Sequence, residues 1–305
     1  MGAAAPARVL VSNAHAPDAG AGDAHARDPD AGGGETGEAQ AREADALLGV
    51  AVEAATSAGA LLLERVRHGA ERSIASKSTP TDLVSEADLA SERAIRELLA
   101  RRRPDDGFVG EEGTHSDGSS GLSWVVDPLD GTVNFLFGIP QWCVSVAVRD
   151  QQGTIAGAVY DPNRDELFSA TRHVRATLSG PDRILELSGT SRESALESAM
   201  VATGFAYDAA VRAAQARVLA RIVPRVRDVR RLGSAALDLT WTAAGRYDAY
   251  FERTVKQWDI AAGALICERA GLRVLELPVH ERLPWGILVT RPALAEGMLE
   301  LVGGE

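Results

Sequence analysis

Asp127 and Asp130 stand three residues apart at the end of an apolar run, Trp124-Val-Val-Asp127-Pro128-Leu129-Asp130-Gly131-Thr132-Val-Asn134-Phe135. The β-favouring residues before the first acid, and the Pro and Gly after it, predict a strand that ends in a sharp turn. Pro128 fixes φ and Gly131 lets the chain turn tightly, so both carboxylates and the Leu129 carbonyl are expected to converge on one small volume. Oxygen-only ligands of this kind suit a hard cation such as Mg²⁺, which keeps several waters and shares its shell with substrate phosphate. An Asp-rich surface turn would carry the same letters, and this stretch alone does not separate the two readings.

Other stretches carry compatible chemistry. Phe108-Val109-Gly110-Glu111-Glu112-Gly113 reads as a short strand ending in adjacent acids, which repel unless solvent or a cation intervenes. Asp88 falls in the first turn of a helix, either as a carboxylate favoured by the helix dipole or as a working group. Gln257-Trp258-Asp259 opens another helix and leaves Asp259 with the same two readings. Leu232-Gly233-Ser234-Ala235 opens a third, whose amides are expected to be free to hold a phosphate oxygen. Gly131-Thr132 opens a fourth. Together these residues describe cations held by acids and an anion held by cations and amides.

The elements that must position these groups can be read in order. Residues 1–44 are rich in Ala, Gly, Asp and Glu with almost no large apolar side chain, which predicts a disordered acidic tail. From Asp45, apolar residues recur at helical spacing through Leu48, Ala51, Ala55, Ala58, Leu62 and Val66, with Gly69 as a stop. Lys77 to Asp88 reads as a loop or hairpin, with Ser85 capping a helix that runs to about Arg101. Residues 142–149, 154–160 and 166–170 read as antiparallel strands of a meander. Residues 171–190 read as a polar join, with a subdomain boundary near 188. Thereafter strand and helix alternate, which implies α/β layering; a last strand at 286–290 is followed by a terminal helix beginning at Pro292.

A length of 305 residues, 45% of them hydrophobic, allows one large domain or two intimate ones. No run approaches a membrane span, and no basic-then-apolar leader is present, so a cytoplasmic protein is expected. Cys143 and Cys267 are far apart and read as core residues in a reducing compartment. The formal net charge of −11 disfavours direct contact with nucleic acid and requires the site to supply its own positive charge. Of 32 basic residues only Lys77 and Lys256 are lysines, and both adjoin candidate site stretches.

Taken together, Gly110-Glu111-Glu112, Asp127-Pro-Leu-Asp130-Gly131-Thr132, Trp258-Asp259-Ile-Ala-Ala-Gly and the upstream Lys77-x4-Asp82-x5-Asp88 resemble the inositol monophosphatase family of Mg²⁺-dependent, lithium-sensitive phosphatases. The resemblance spans about residues 45–305. It implies the layered αβαβα sandwich of sugar phosphatases, with an N-terminal α+β subdomain over 45–187, a C-terminal α/β subdomain over 188–305, and a homodimer. It also implies two or three Mg²⁺ ions held by Glu111, Asp127, the Leu129 carbonyl, Asp130 and Asp259. Asp88 and Thr132, with Glu111, would act in catalysis by activating water. Gly131, Thr132, Gly233, Ser234 and Ala235 would meet phosphate or hydroxyls, and Glu252 the polyol.

The sequence departs from the family pattern in places. Leu272 stands where a second glycine is usual, 277–284 replaces a glycine-rich loop, and 171–185 lacks the Gly-Ala-Asn-Gly turn. Val133-Asn134-Phe135 is similar to inositol phosphatases, whereas relatives acting on 3′-phosphoadenosine 5′-phosphate usually carry Lys-Glu-Phe. The expected activity is hydrolysis of inositol 1-phosphate, with histidinol phosphate, fructose 1,6-bisphosphate and 3′-phosphoadenosine 5′-phosphate as alternative substrates. From a different class, some bacterial members act as binding partners in transcription antitermination.

Overall fold

The computed structural model describes residues 33–68, 74–76, 83–189 and 195–303. Helix α1 runs Gly33–Arg67, a dozen residues longer at its start than the periodicity beginning at Asp45 predicts. Ala44 is already buried, so part of the expected tail is helical; residues 1–32 lie outside the described residues. By length and composition α1 is also apolar enough to cross a membrane, contrary to the reading of its sequence. One face of it, from Leu47 to Leu62, is buried in the core.

Strands β1 (Ile74–Ser76) and β2 (Leu83–Ser85) pair antiparallel as the hairpin expected there, and α2 (Glu86–Arg102) follows. Lys77 and Asp82 lie outside the described residues. Next come β3 (Gly107–Gly110), β4 (His115–Ser116), β5 (Ser123–Asp130) and the short helix α3 (Thr132–Phe137). The meander is β6 (Cys143–Asp150), β7 (Gly153–Asp161) and β8 (Glu166–Thr171). The supposed polar join adds two more strands, β9 (Thr177–Ser179) and β10 (Ile184–Glu186), too short for their pattern to register. These form one eight-stranded sheet in the order β10-β9-β8-β7-β6-β5-β3-β4, antiparallel except for β3 beside β5.

The second half supplies β11 (Met200–Thr203), α4 (Ala209–Ile222), β12 (Asp228–Arg230), α5 (Ala235–Ala243), β13 (Ala249–Arg253) and α6 (Gln257–Arg269). It ends with β14 (Arg273–Leu277), β15 (Gly286–Thr290) and α7 (Ala295–Val302). The second sheet has the order β12-β11-β13-β15-β14, parallel on one side of β13 and antiparallel on the other. Strand β14 was not foreseen in the sequence.

Alternation along the strands separates the layers. Trp124, Val126, Val144, Val146 and Val148 face α1 and α2, whereas Val125, Cys143, Ala147 and Phe168 face α5 and α6. The other side of α5 and α6 packs on Ala202, Tyr250, Ile287 and Val289 of the second sheet. That sheet's outer face, including Val201, Phe251 and Leu288, packs on α4 and α7. The result is the expected αβαβα sandwich, with α5 and α6 as its central layer.

Candidate active site

A break in the β5–β6 ladder brings the two strand-end acids to one face. Asp127 pairs with Ser145 and Asp130 with Cys143, so three steps on β5 match two on β6. In an unbroken strand residues three apart point to opposite faces; the bulge at Pro128-Leu129 reverses that parity. Both aspartates therefore face the central layer, while the Leu129 side chain is buried toward α1 and α2. Gly131 follows at φ +99°, and a Cβ there would lie 2.8 Å from the Gln141 carbonyl, so glycine alone fits the turn into α3.

Helix α2 clamps these loops from the other side. Asp88 Oδ1 accepts from Thr132 Oγ1 at 2.8 Å, and Ser91 Oγ donates to the Pro128 carbonyl at 2.7 Å. Glu92 accepts from the Glu112 amide at 3.1 Å and from Thr114 Oγ1 at 2.5 Å, holding the turn that carries Glu111. Glu92 was not singled out in the sequence; its spacing of four from Asp88 on one helical face was the available signal. Asp88 sits in the first turn of α2, where the helix dipole favours a carboxylate, and also accepts from Thr132.

A cavity of about 400 Å³ collects the candidates: Glu111, Asp127, Leu129, Asp130 and Asp259 line it, as do Gly131, Thr132, Gly233, Ala235 and Glu252. Asp88 and Ser234 do not line it. Lys256 lies at its wall, as do Phe205, Tyr207, Arg231 and Trp258, which the sequence reading did not select. Phe205 and Tyr207 sit in the turn after β11, at a strand end like the other site residues, which was their sequence signal.

Burial, then the negative charges of Glu111, Asp130 and Asp259, hold the Asp127 carboxyl well above its ordinary pKa. Burial likewise raises Asp130 to about 6, although Ser234 and Ala236 pull it down. Asp259 keeps some exposure to the cavity yet is ringed by protein atoms, and burial with the charges of Asp130 and Glu111 raises it as well. The group of acids is thus short of positive charge.

Asp130 Oδ2 accepts from Ser234 Oγ and from the Ala236 amide, both at 2.7 Å. The opening amides of α5 therefore hold a carboxylate, where the sequence suggested they were free for phosphate, and Ser234 is buried beneath the cavity. Asp259 Oδ2 accepts from the Lys256 amide at 2.6 Å, so it caps α6 as well as lining the site. Asn134 Nδ2 donates to the carbonyls of Gln141 and Leu232, both at 2.7 Å, tying the α3 turn to the loop before α5.

Residues 43–301 match the sequence profile of the inositol monophosphatase family. The chain belongs to this family. It is 46% identical over 209 residues to the inositol-1-monophosphatase of Mycobacterium bovis, covering 66% of this chain and 71% of that protein. It is 40% identical over 227 residues to the Nus factor SuhB of Pasteurella multocida, covering 74% and 83%. The solved structure of Mycobacterium tuberculosis SuhB superposes with a TM-score of 0.73 at 38% identity, covering 85% of this chain and 96% of that one.

The donors present fit the hard divalent cation expected of an inositol monophosphatase family member. All are oxygens, and their mutual repulsion is the deficit a cation would relieve. Among the described residues no three such side chains are drawn tightly enough together to cage an ion as they stand. Each aspartate instead accepts a nearby hydrogen bond: Asp127 from the Leu129 amide at 3.0 Å, Asp130 from Ser234 and Ala236, Asp259 from Lys256.

Proposed function

We propose that this protein is a Mg²⁺-dependent phosphomonoesterase that hydrolyses inositol 1-phosphate to inositol and phosphate. The observation that carries the proposal is the convergence of Glu111, Asp127, Asp130 and Asp259, from distant parts of the chain, on one cavity beside the Thr132–Asp88 pair. Mg²⁺, at two or three ions per site, would be held by those carboxylates and the Leu129 carbonyl, and when bound would supply a lowered pKa for a water and positive charge for the phosphoryl and leaving oxygens.

Thr132 Oγ1 orients the attacking water, and Asp88 Oδ1 accepts the proton passed through that hydroxyl. The backbone of Gly131, Thr132, Gly233 and Ala235 faces the phosphate, with Ser234 acting through Asp130. Glu252 accepts hydrogen bonds from the polyol. Water attacks phosphorus directly, so no phosphoenzyme forms. Purified protein with Mg²⁺ should release phosphate from inositol 1-phosphate faster than from histidinol phosphate, fructose 1,6-bisphosphate or 3′-phosphoadenosine 5′-phosphate. Full activity in excess chelator would overturn the mechanism, and a different preferred substrate would overturn the assignment of alcohol. On this reading the enzyme is a lithium-inhibited cytoplasmic homodimer, to be checked by sedimentation and Li⁺ titration.

The Pasteurella multocida relative favours a second reading, a protein-binding role in transcription antitermination. An antitermination reporter that responds equally to wild type and to Asp130→Asn would support that role independently of hydrolysis.

A further inference from the structure

The stretch Leu277-Pro278-Val-His280-Glu-Arg282-Leu-Pro284, which departs from the family's glycine-rich loop, forms the hairpin between β14 and β15. At its tip His280 and Leu283 exchange backbone hydrogen bonds of 2.9 and 2.8 Å, with Glu281 between them at φ +49°. Its base is held by the buried guanidinium of Arg253, which donates to the carbonyls of Leu277, Pro278 and Pro284 at 3.2, 2.7 and 2.8 Å, and to that of Val302 at 3.1 Å. The hairpin is therefore a braced wall.

That wall and helix α4 enclose a second cavity, of about 210 Å³, which shares no residue with the catalytic one. Arg217 and Arg221, one turn apart on α4, line it together with His280 and Arg282 of the hairpin, and the buried Val218 and Leu283 complete it. Glu281 is the one acid among the described residues that line it. Arg217 uses one donor on the Ala213 carbonyl and Arg221 one on the Leu301 carbonyl, both at 3.2 Å, which leaves most of each fork unused. Among the described residues no carboxylate lies within ion-pair distance of Arg217, Arg221 or Arg282.

Three guanidiniums brought around one small volume repel one another, as the acids of the catalytic cavity do, and an anion relieves that repulsion. In a chain of net charge −11 the cluster runs against the sign of the whole. A carboxylate offers two oxygens, too few for three forks, whereas a phosphate offers three or four in a geometry that guanidinium donors match. The volume falls below the roughly 300–1,000 Å³ of sites that take drug-sized ligands, so the occupant is small.

We propose that the cleft between α4 and the hairpin is a binding site for a small phosphate anion, inorganic phosphate or pyrophosphate, held by Arg217, Arg221 and Arg282. The site is independent of the phosphatase reading, because no residue of the catalytic cavity takes part in it. Helix α4 nevertheless touches both cavities: Gln215 accepts from the Ala206 amide at 2.9 Å, and Arg212 donates to the Ala206 and Tyr207 carbonyls at 2.9 and 2.6 Å, both residues belonging to the catalytic wall. An anion clamped against α4 therefore bears on the helix that holds that wall.

The test is equilibrium dialysis of radiolabelled phosphate and pyrophosphate against the full-length protein, stripped of metal on a chelating resin and kept at constant ionic strength. One site per chain should fill, more tightly with pyrophosphate because it carries more charge. Arg217→Gln and Arg282→Gln, both at exposed positions, should each raise the Kd about 10- to 100-fold, as expected for loss of a charged hydrogen bond, without changing Tm in phosphate-free buffer. Arg282→Lys should fall between, keeping charge and losing the fork. Asp130→Asn should bind as wild type does. No binding by wild type, or binding that survives both glutamine changes, would overturn the proposal. Binding that only Asp130→Asn alters would overturn it too, by putting the anion in the catalytic cavity.

Discussion

Thr132 Oγ1 lies 2.8 Å from Asp88 Oδ1 and 3.0 Å from the Leu129 carbonyl oxygen, so one hydroxyl joins the first turn of α2 to the end of β5. If this pair handles the proton of the attacking water, Thr132→Ala and Asp88→Asn should each lower kcat by about 10²- to 10⁴-fold with little change in KM. The double variant should be hardly worse than the worse single one, because both act on one proton path. Multiplicative losses in steady-state kinetics would show that the two residues act separately.

Asp130 joins the acidic cluster and also holds the start of α5 through Ser234 and Ala236. Asparagine keeps an oxygen for the Ala236 amide and removes the charge. Asp130→Asn should therefore melt within a few degrees of wild type, release no phosphate above background, and lose the rise in Tm that Mg²⁺ gives the wild-type protein by binding its folded state. An undiminished Mg²⁺-dependent shift, read by differential scanning fluorimetry, would remove Asp130 from the metal site.

The sequence carried the strand-end acids because local chemistry decided them: β-favouring residues, then Pro and Gly, then carboxylates. It could not carry the reason Asp127 and Asp130 share a face, since that depends on a bulge defined only against Ser145 and Cys143 of β6. The role of Glu92 escaped for the same reason, its partners Glu112 and Thr114 being about twenty residues away. Strands β9, β10 and β14 were missed where three to five residues leave little periodicity to read. The opening of α5 misled because its amides, free by local rules, are taken by Asp130 from 106 residues away.

Helix α6, which carries Asp259, sits close on β7 because residue 157 has no side chain. A Cβ at Gly157 would lie 2.8 Å from Ala262 Cα and 3.0 Å from Ala262 Cβ, with backbone on the far side unable to yield. Gly157→Ala should cost about 1–3 kcal/mol in chemical denaturation and weaken Mg²⁺ binding by displacing α6. Gly49→Ala, in α1 with nothing within 4 Å of the added methyl, should be neutral or stabilising by about 0.5–1 kcal/mol. Equal effects at the two sites would mean that the close approach of α6 to β7 is not what Gly157 provides.

Glu252 links pH to stability. Burial pushes its carboxyl up to about 7; the Tyr250 hydroxyl and Arg231 pull it down, and Asp130 adds to the rise. The folded protein therefore keeps a proton that the unfolded chain releases near its ordinary 4.5, so the contribution of Glu252 falls as pH rises from about 4.5 to 7 and is level above that. A glutamine side chain at this position cannot ionise and can still accept from Tyr250. In metal-free buffer the stability of Glu252→Gln relative to wild type should rise across that window, by on the order of 2 kcal/mol at pH 8 once partial exposure to the cavity is allowed for, read as a growing difference in Tm. Below pH 4 the difference in Tm should be flat. A difference that stays constant from pH 4 to pH 8 would show that Glu252 ionises in the fold as it does in water.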